Sequence, residues 1–211
     1  MMEYIYEMPQ AMLCDTPFKG EVKRFLYDAG TYDGVDDHVL HKGAWVYLPY
    51  GYDKDKKYNV LYLMHGFGVN EDWWFKMFPD TVKILDNMIA GKVCEPCIIV
   101  TPTYYRGEEK DAQAEYLAEH FCHELRHDLI PAVETAFSTW AGGDVSEENL
   151  IKTRGHRAFA GLSLGSMTTY RAGIYNNFDL FSWYGTFSGC CGPNGDREAE
   201  VERMKKALAD A

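Results

Sequence analysis

A strand pattern, a sharp turn and a helix pattern follow one another directly in AFAGLSLGSMTTYRAGIY, residues 158–175. The turn is GLSLG, residues 161–165, a G-x-S-x-G sequence between an apolar run and a run of small residues. This context is typical of the strand–turn–helix elbow that carries a nucleophilic serine. Such a sharp turn needs glycine on both flanks, because a β-carbon there would clash with neighbouring backbone. The pattern predicts Ser163 as a catalytic nucleophile; the alternative is an ordinary glycine-rich turn.

Strands and helices alternate on either side of this turn. Apolar or alternating runs predict strands at residues 21–28, 44–48, 59–64, 97–101, 158–162 and 181–187. Helical spacing predicts helices at residues 81–90, 112–137, 165–175 and 196–209. This order predicts an α/β protein with a mainly parallel, doubly wound sheet and antiparallel N-terminal strands. Because no linker or internal repeat interrupts it, we predict a single domain over residues 1–211.

A second glycine-containing loop, HGFG at residues 65–68, follows the apolar strand predicted at 59–64. In folds with a nucleophile elbow, the loop in this position supplies one backbone N–H to the oxyanion hole, and the residue after the nucleophile supplies the other. We therefore predict an oxyanion hole formed by the N–H groups of Phe67 and Leu164. His65 ends a buried strand, so we interpret it as structural support for the loop and not as the catalytic base.

Three segments occur in a specific order along the chain: YLPYGYDKDKKYNVLYLMHGFGVNEDWW (residues 47–74), ELRHDLIPAVE (124–134) and RAFAGLSLGS (157–166). Together they resemble the feruloyl esterase and acetyl xylan esterase group of carbohydrate esterases, the esterase D-like α/β-hydrolases. The resemblance extends over residues 43–189. It implies an α/β-hydrolase fold and a serine esterase without a cofactor. It further implies that feruloyl or acetyl esters of plant cell-wall xylan are hydrolysed through an acyl-enzyme at Ser163.

Aromatic side chains follow two of the predicted strands. Trp73 and Trp74 come after the HGFG loop, and Tyr104 and Tyr105 come after the strand at residues 97–101. Ligands of open α/β sheets bind at the carboxyl ends of the strands. We therefore predict that these four side chains bind the sugar or the feruloyl ring of the substrate. For each residue taken singly, closure of the edge of the core is an equally good interpretation.

The order of histidines along the chain does not complete a catalytic triad. In this fold the triad runs serine, then aspartate or glutamate, then histidine. No histidine follows Ser163, and the last one is His156. We therefore expect the triad acid and base to lie beyond Ala211, and we interpret the chain as a fragment that lacks the last strands of the fold. A serine without its base retains only a small part of the catalytic rate.

Two alternative functions follow from other features. His123-Glu124-x-x-His127 is an H-E-x-x-H sequence typical of zinc metallohydrolases, and Glu147 is a candidate third ligand. Each histidine lies about 200° around the helix from an apolar residue two positions earlier, so both are predicted to face solvent, where a catalytic zinc ion is not expected. We therefore predict no metal site. The other alternative is a catalytically incomplete hydrolase-like domain that binds carbohydrate.

The composition restricts the partners and the compartment. A formal net charge of −11 disfavours nucleic acid and suits a polysaccharide or a small uncharged ester. No apolar run approaches the roughly 20 residues of a membrane helix, and the first residues show no signal-peptide pattern. We expect no membrane partner. The chain is expected to be secreted if it is part of a longer cell-wall-degrading protein with further modules, and cytoplasmic otherwise.

Overall fold

The computed structural model of the protein describes residues 7–32, 38–107, 113–189 and 197–209. Its strands are β1 (Glu21–Gly30), β2 (Val39–Leu48), β3 (Asn59–Met64), β4 (Cys97–Thr101), β5 (Arg157–Leu162) and β6 (Trp183–Phe187). Within the described residues they form one six-stranded sheet in the order β1-β2-β4-β3-β5-β6. β3 to β6 are parallel, whereas β2 pairs antiparallel with β1 and β4. The predicted α/β architecture with antiparallel N-terminal strands is confirmed.

Helices connect these strands. The α-helices are α1 (Gln10–Leu13), α2 (Asp80–Ala90), α3 (Ala114–Glu124), α4 (Ile130–Ala136), α5 (Glu147–Lys152), α6 (Leu164–Thr168) and α7 (Arg197–Ala209). π-Helical turns occupy Trp73–Met77, Leu125–Leu129 and Thr169–Tyr175, and 3₁₀ turns occupy Arg154–His156 and Phe178–Leu180. The helix predicted over 112–137 is α3, a π-helical turn and α4 in succession; residue 112 lies outside the described residues. None of the described helices has the length and apolar character needed to span a lipid bilayer.

Helices and turns cover both faces of the sheet. This agrees with the central strands, which are apolar at successive positions, as is typical of strands buried on both faces. Val60, Tyr62 and Met64 of β3 pack on one face with side chains of α3, α4 and α6. Leu63 of the same strand packs on the other face with Phe75 and the apolar side of α2. This arrangement confirms the doubly wound sheet that the sequence predicts.

The first hairpin is longer than predicted. The predicted strands ended at residue 28 and resumed at residue 44, but β1 and β2 stay in register as far as Gly30 opposite Val39. The charged Lys42 lies in the extended part of β2, with its side chain buried beside the Glu124 carboxylate. A buried lysine is tolerated there because an acidic partner compensates the loss of hydration. The sequence prediction stopped short because a lysine seldom marks a buried strand position.

The last described strand begins later than predicted, at Trp183 instead of residue 181. Phe181 is fully buried in the connection before β6. Its carbonyl accepts hydrogen bonds from the Arg154 guanidinium at 3.0 and 3.2 Å. A side chain therefore satisfies this carbonyl in place of a neighbouring strand, which delays the start of β6.

The parallel strands bring three loops to one edge of the sheet. At the carboxyl ends, β3 leads into residues 65–68, β4 into residues 102–107 and β5 into Ser163. These are the segments in which the sequence predicts the oxyanion hole, two aromatic contacts and the nucleophile. The topology thus explains how positions far apart in the chain form one site.

Candidate active site

Ser163 occupies a strained turn between β5 and α6. Its backbone has φ 55° and ψ −114°, a conformation that residues with a side chain rarely adopt. A β-carbon on Gly161 would overlap the carbonyl of Gly165, and one on Gly165 would overlap the carbonyl of His65. The steric need for both glycines therefore agrees with the sequence argument. The Ser163 residue is exposed, so the turn presents its hydroxyl to solvent at the edge of the sheet.

Backbone hydrogen bonds hold this turn. The N–H of Ser163 donates to the carbonyl of Phe187 at the end of β6, at 2.9 Å. Its carbonyl accepts from the N–H of Ser166 at 2.9 Å, which begins α6. Leu164 is the first residue of α6, and the N–H groups of a first helical turn have no acceptor within their own helix. The N–H of Leu164 is therefore available for a developing negative charge next to the serine.

The HGFG loop lies beside the serine. A β-carbon placed on Gly66 would lie 3.5 Å from the Ser163 β-carbon and 3.4 Å from the carbonyl oxygen of Leu162. The side chain of Phe67 is 57% exposed, so its packing does little to fix the loop. The structure thus brings together the three residues predicted to bear the nucleophile and the oxyanion hole. The backbone of the HGFG loop therefore lies directly beside the turn at Ser163.

His65 supports this loop and is fully buried. Its Nδ1–H donates to the carbonyl of Gly66 at 2.7 Å, and its Nε2 accepts from the hydroxyl of Thr103 at 2.8 Å. Burial lowers the pKa of His65 to about 4, and the nearby Lys42 charge lowers it further while the bond to Gly66 opposes the change. The ring is therefore neutral near pH 7 and both of its nitrogens are engaged. These contacts agree with the supporting role predicted for His65.

The two tyrosines after β4 have different surroundings. Tyr104 is 1% exposed, packs on the His65 ring at 4.5 Å and donates its hydroxyl to the Gly66 carbonyl at 3.0 Å. A ring buried in this way has no face left for a sugar, so the predicted substrate contact at Tyr104 is corrected to support of the loop. Tyr105 is half-buried and lines a cleft of about 450 Å³ together with Gly68 and Asn70.

The cleft beside Tyr105 adjoins the HGFG loop and not the serine. In the described part of the chain, Ser163 is not among its lining residues, and neither are the two predicted tryptophan contacts. Trp73 packs on Phe78 at 4.4 Å. Trp74 donates its indole N–H to the Met64 carbonyl at 3.2 Å and packs on the α2 side of the sheet. Both tryptophans are half-buried, on the π-helical turn that follows the loop.

His156 lies far from the nucleophile. It immediately precedes β5, whereas Ser163 follows the other end of that strand. A six-residue strand is roughly 20 Å long at 3.3 Å per residue. The His156 ring instead bonds Asn59 at 2.8 Å and stacks on Trp140. The last histidine of the chain therefore does not reach the serine.

The H-E-x-x-H segment does not assemble a zinc site. His123 and His127 are exposed, as their helical spacing predicts, and the ring of Tyr32 packs on both. Glu124 points the opposite way, into the core. It accepts from the Tyr27 hydroxyl at 2.6 Å and from Lys42 Nζ at 2.7 Å.

The candidate third ligand is also engaged elsewhere, because Glu147 pairs with the Arg126 guanidinium. Among the described residues, no group of three or more His, Cys, Asp and Glu side chains is arranged to hold a metal ion. The zinc alternative therefore lacks its geometric requirement, since a catalytic zinc ion needs three converging protein ligands.

The sequence analysis missed the buried ion pair between Lys42 and Glu124 that lies beneath the candidate site. Lys42 bonds both Glu124 and the carbonyl of Thr103, which lies next to the site loops. One signal was present in the sequence: Lys42 has the same parity as the buried Ala44 and Val46 of β2, so it faces the same side of the sheet. A lysine on a core-facing position requires a buried acidic partner.

Comparison with known proteins identifies the family. A family model described as "Putative esterase" matches residues 42–206. The chain is 38% identical over 159 residues to endo-1,4-beta-xylanase Y of Acetivibrio thermocellus, covering 75% of this chain and 14% of that protein. It is 34% identical over 152 residues to an endo-1,4-beta-xylanase/feruloyl esterase of Xylanibacter ruminicola, covering 69% of this chain and 19% of that protein. The chain therefore spans less than a fifth of the length of these curated relatives.

A solved structure agrees with these matches. The chain resembles a Ser-to-Ala mutant of the feruloyl esterase module from Clostridium thermocellum complexed with sinapinate, with a TM-score of 0.80 and 30% sequence identity. The match covers 99% of this chain and 70% of that chain. The α/β-hydrolase fold and the feruloyl/acetyl xylan esterase resemblance are thereby confirmed. The chain belongs to this esterase family of α/β-hydrolases.

Proposed function

We propose that this chain carries the nucleophile of a serine carboxylic-ester hydrolase that removes feruloyl or acetyl groups from xylan through an acyl-enzyme at Ser163. One observation carries the proposal: the serine is exposed in a strained, glycine-flanked turn directly beside the HGFG loop. Strain of this kind is costly and persists at functional sites. Carbohydrate binding alone would not require it.

In the proposed reaction, the Ser163 hydroxyl attacks the ester carbonyl while a base takes its proton. The N–H groups of Phe67 and Leu164 stabilise the oxyanion of the tetrahedral intermediate. Collapse of this intermediate breaks the ester bond and releases the sugar hydroxyl, which receives the proton. A water molecule then attacks the acyl-enzyme, releases ferulate or acetate and regenerates the serine. No cofactor takes part in these steps.

The relatives support the substrate class. One of them is named as both a xylanase and a feruloyl esterase, and the similar module was solved with sinapinate, a hydroxycinnamate. We propose that Tyr105, Trp73 and Trp74 contact the aromatic acyl group or the sugar, since each is partly exposed near this edge of the sheet. The net charge of −11 also favours an uncharged polymer over a polyanion.

We propose that residues beyond Ala211, in a longer polypeptide, supply the triad acid and base. The support is that no histidine follows Ser163 among the 211 residues. Among the upstream histidines, both ring nitrogens of His65 are engaged. His156 lies at the amino-terminal end of β5, whereas Ser163 lies at its carboxyl end. Further modules of the same polypeptide are consistent with the length of the curated relatives.

The proposal is tested by hydrolysis of methyl ferulate and p-nitrophenyl acetate by this chain and by a version extended past Ala211. We expect activity in the extended form, its loss in Ser163→Ala, and covalent labelling of Ser163 by a fluorophosphonate. Ser166→Ala is a matched control, because its buried hydroxyl has no hydrogen-bond partner among the described residues.

Other outcomes would separate the proposals. Full activity in Ser163→Ala would overturn the serine mechanism. Equal activity of the 211-residue chain and the extended form would leave Ser163 as the nucleophile but refute the proposed position of the base. Activity on p-nitrophenyl acetate without any activity on methyl ferulate or on acetylated xylan would refute the proposed substrate class.

A further inference from the structure

The carbonyl of Gly66 is held by two donors from the interior. The Nδ1–H of His65 donates to it at 2.7 Å and the hydroxyl of Tyr104 donates at 3.0 Å. This carbonyl belongs to the same peptide unit as the N–H of Phe67. In a planar trans peptide the C=O and the N–H point in opposite directions. Fixing the Gly66 carbonyl inward therefore fixes the Phe67 N–H outward.

One of these donors, His65, is itself fixed by a chain of buried hydrogen bonds, which passes through Thr103, the residue before the other donor, Tyr104. The hydroxyl of Thr103 donates to His65 Nε2 at 2.8 Å, and the Thr103 carbonyl accepts from Lys42 Nζ at 2.8 Å. Lys42 in turn pairs with Glu124 at 2.7 Å, and Glu124 accepts from the Tyr27 hydroxyl at 2.6 Å. These residues lie on β1, on β2, on α3 and in the loops after β3 and β4. These hydrogen bonds thus connect one peptide unit of the HGFG loop to four other elements.

Burial makes these contacts decisive for the loop. His65, Thr103, Tyr104, Lys42 and Glu124 are all buried, so water cannot replace a missing partner. Hydrogen bonds to a carbonyl also polarise its peptide unit, which strengthens the N–H on the other side as a donor. By contrast, the exposed side chain of Phe67 provides little packing that could fix the loop from outside.

We propose that Tyr104, together with His65 and Thr103, is a positioning residue for catalysis: it holds the Gly66–Phe67 peptide with its N–H directed at the oxyanion. The inference rests on the oxyanion role proposed for Phe67. It assigns to Tyr104 an effect on the transition state, exerted through the peptide and without contact with the substrate. The same reasoning assigns to the Thr103 hydroxyl the task of keeping the His65 ring in the orientation that donates to Gly66.

The test is Tyr104→Phe in the form of the polypeptide that hydrolyses methyl ferulate. The ring stays in place while one donor to Gly66 is lost. Removing a whole oxyanion donor costs about 10²- to 10³-fold in kcat, so a misdirected donor should lower kcat about tenfold with KM changed less than twofold. The inhibition constant of phenylboronic acid, whose serine adduct is tetrahedral, should rise by a similar factor, while ferulate binding should not change. A merely structural role would not separate these two ligands.

Matched variants keep the outcome interpretable. Tyr184→Phe removes another buried hydroxyl, one without a partner among the described residues, and should retain the parental kcat. Thr103→Val should lower kcat as Tyr104→Phe does, and Thr103→Ser should restore it because the hydroxyl returns. An unchanged kcat and boronate affinity in Tyr104→Phe would overturn the positioning role even if Ser163→Ala is inactive. If Ser163→Ala remains active, the proposed function has failed instead.

Discussion

The two halves of the proposed oxyanion hole are held in place by different means. On the elbow side, the N–H of Leu164 is directed by a turn that only glycines at positions 161 and 165 allow. On the loop side, the N–H of Phe67 is directed by hydrogen bonds to the Gly66 carbonyl, which depend on residues from several strands and a helix. The steric requirement is visible in the sequence as two glycines that flank the serine. A chain of buried hydrogen bonds between distant elements has no such local sequence pattern.

The largest effect is expected from breaking the elbow side with Gly165→Ala. The added β-carbon would overlap the backbone carbonyls of His65 and Met64, which cannot move as a flexible side chain can. We expect a loss of more than about 4 kcal/mol in the free energy of unfolding, measured by urea denaturation, from a clash in a packed region. Gly155→Ala is the control: a β-carbon there meets nothing within 4 Å, so stability should change by less than about 0.5 kcal/mol. Equal effects at both glycines would contradict the steric account of the elbow.

Breaking the loop side with Lys42→Met should have a slightly smaller effect. The substitution leaves the buried Glu124 carboxylate without its cation, and burial already raises the pKa of this group. Removing one partner of a buried ion pair costs about 3–5 kcal/mol. Lys83→Met removes an exposed lysine that pairs with Asp80, and should cost less than about 1 kcal/mol. Similar losses in the two variants, measured by urea denaturation, would show that the buried pair does not stabilise the fold.

The difference between local sequence patterns and long-range polar contacts also explains how much of the fold was predictable. Apolar runs predicted β3, β4 and β5, because strands covered on both faces are apolar at nearly every position. The N-terminal part of β2 was missed, since Lys42 is buried only by virtue of Glu124, which lies 82 residues away. The start of β6 was misplaced because the Arg154 guanidinium satisfies the Phe181 carbonyl. Long-range polar contacts therefore account for the errors.

The site was predictable where its geometry is local. Ser163 and Leu164 follow from the glycine spacing, and the place of the HGFG loop follows from the strand before it. The burial of Tyr104 was not predictable, because two adjacent tyrosines after β4 gave no indication of which one faces the core. In the structure, Tyr104 donates to Gly66 and Tyr105 lines the cleft. Only the folded arrangement shows which tyrosine faces the core and which one lines the cleft.

Acid should lower the free energy of unfolding through His65, which supports the HGFG loop. Its pKa is lowered to about 4 in the folded state, below an unfolded value near 6.5, so the unfolded chain binds the proton more readily. The contribution is fully present above about pH 6.5 and is lost as the pH falls towards 4. The difference between 6.5 and about 4 corresponds to at most about 3.4 kcal/mol at 1.36 kcal/mol per pKa unit. Urea denaturation between pH 4.5 and 7.5 should show a smaller loss of stability in His65→Gln than in the parent; parallel curves would refute this role.

The smallest effect is expected where the sequence suggested a metal. His123→Gln/His127→Gln should leave kcat within about twofold and stability within about 1 kcal/mol, since both rings are exposed and contact only Tyr32 among the ring pairs of the described residues. A chelator should likewise leave hydrolysis of methyl ferulate unchanged. The glutamate between these histidines is already committed to Lys42 and Tyr27, so it cannot also act as a base towards solvent. Loss of activity with EDTA, restored by Zn²⁺ and reproduced by the double substitution, would instead place the chemistry on α3 and reduce the elbow to a structural turn.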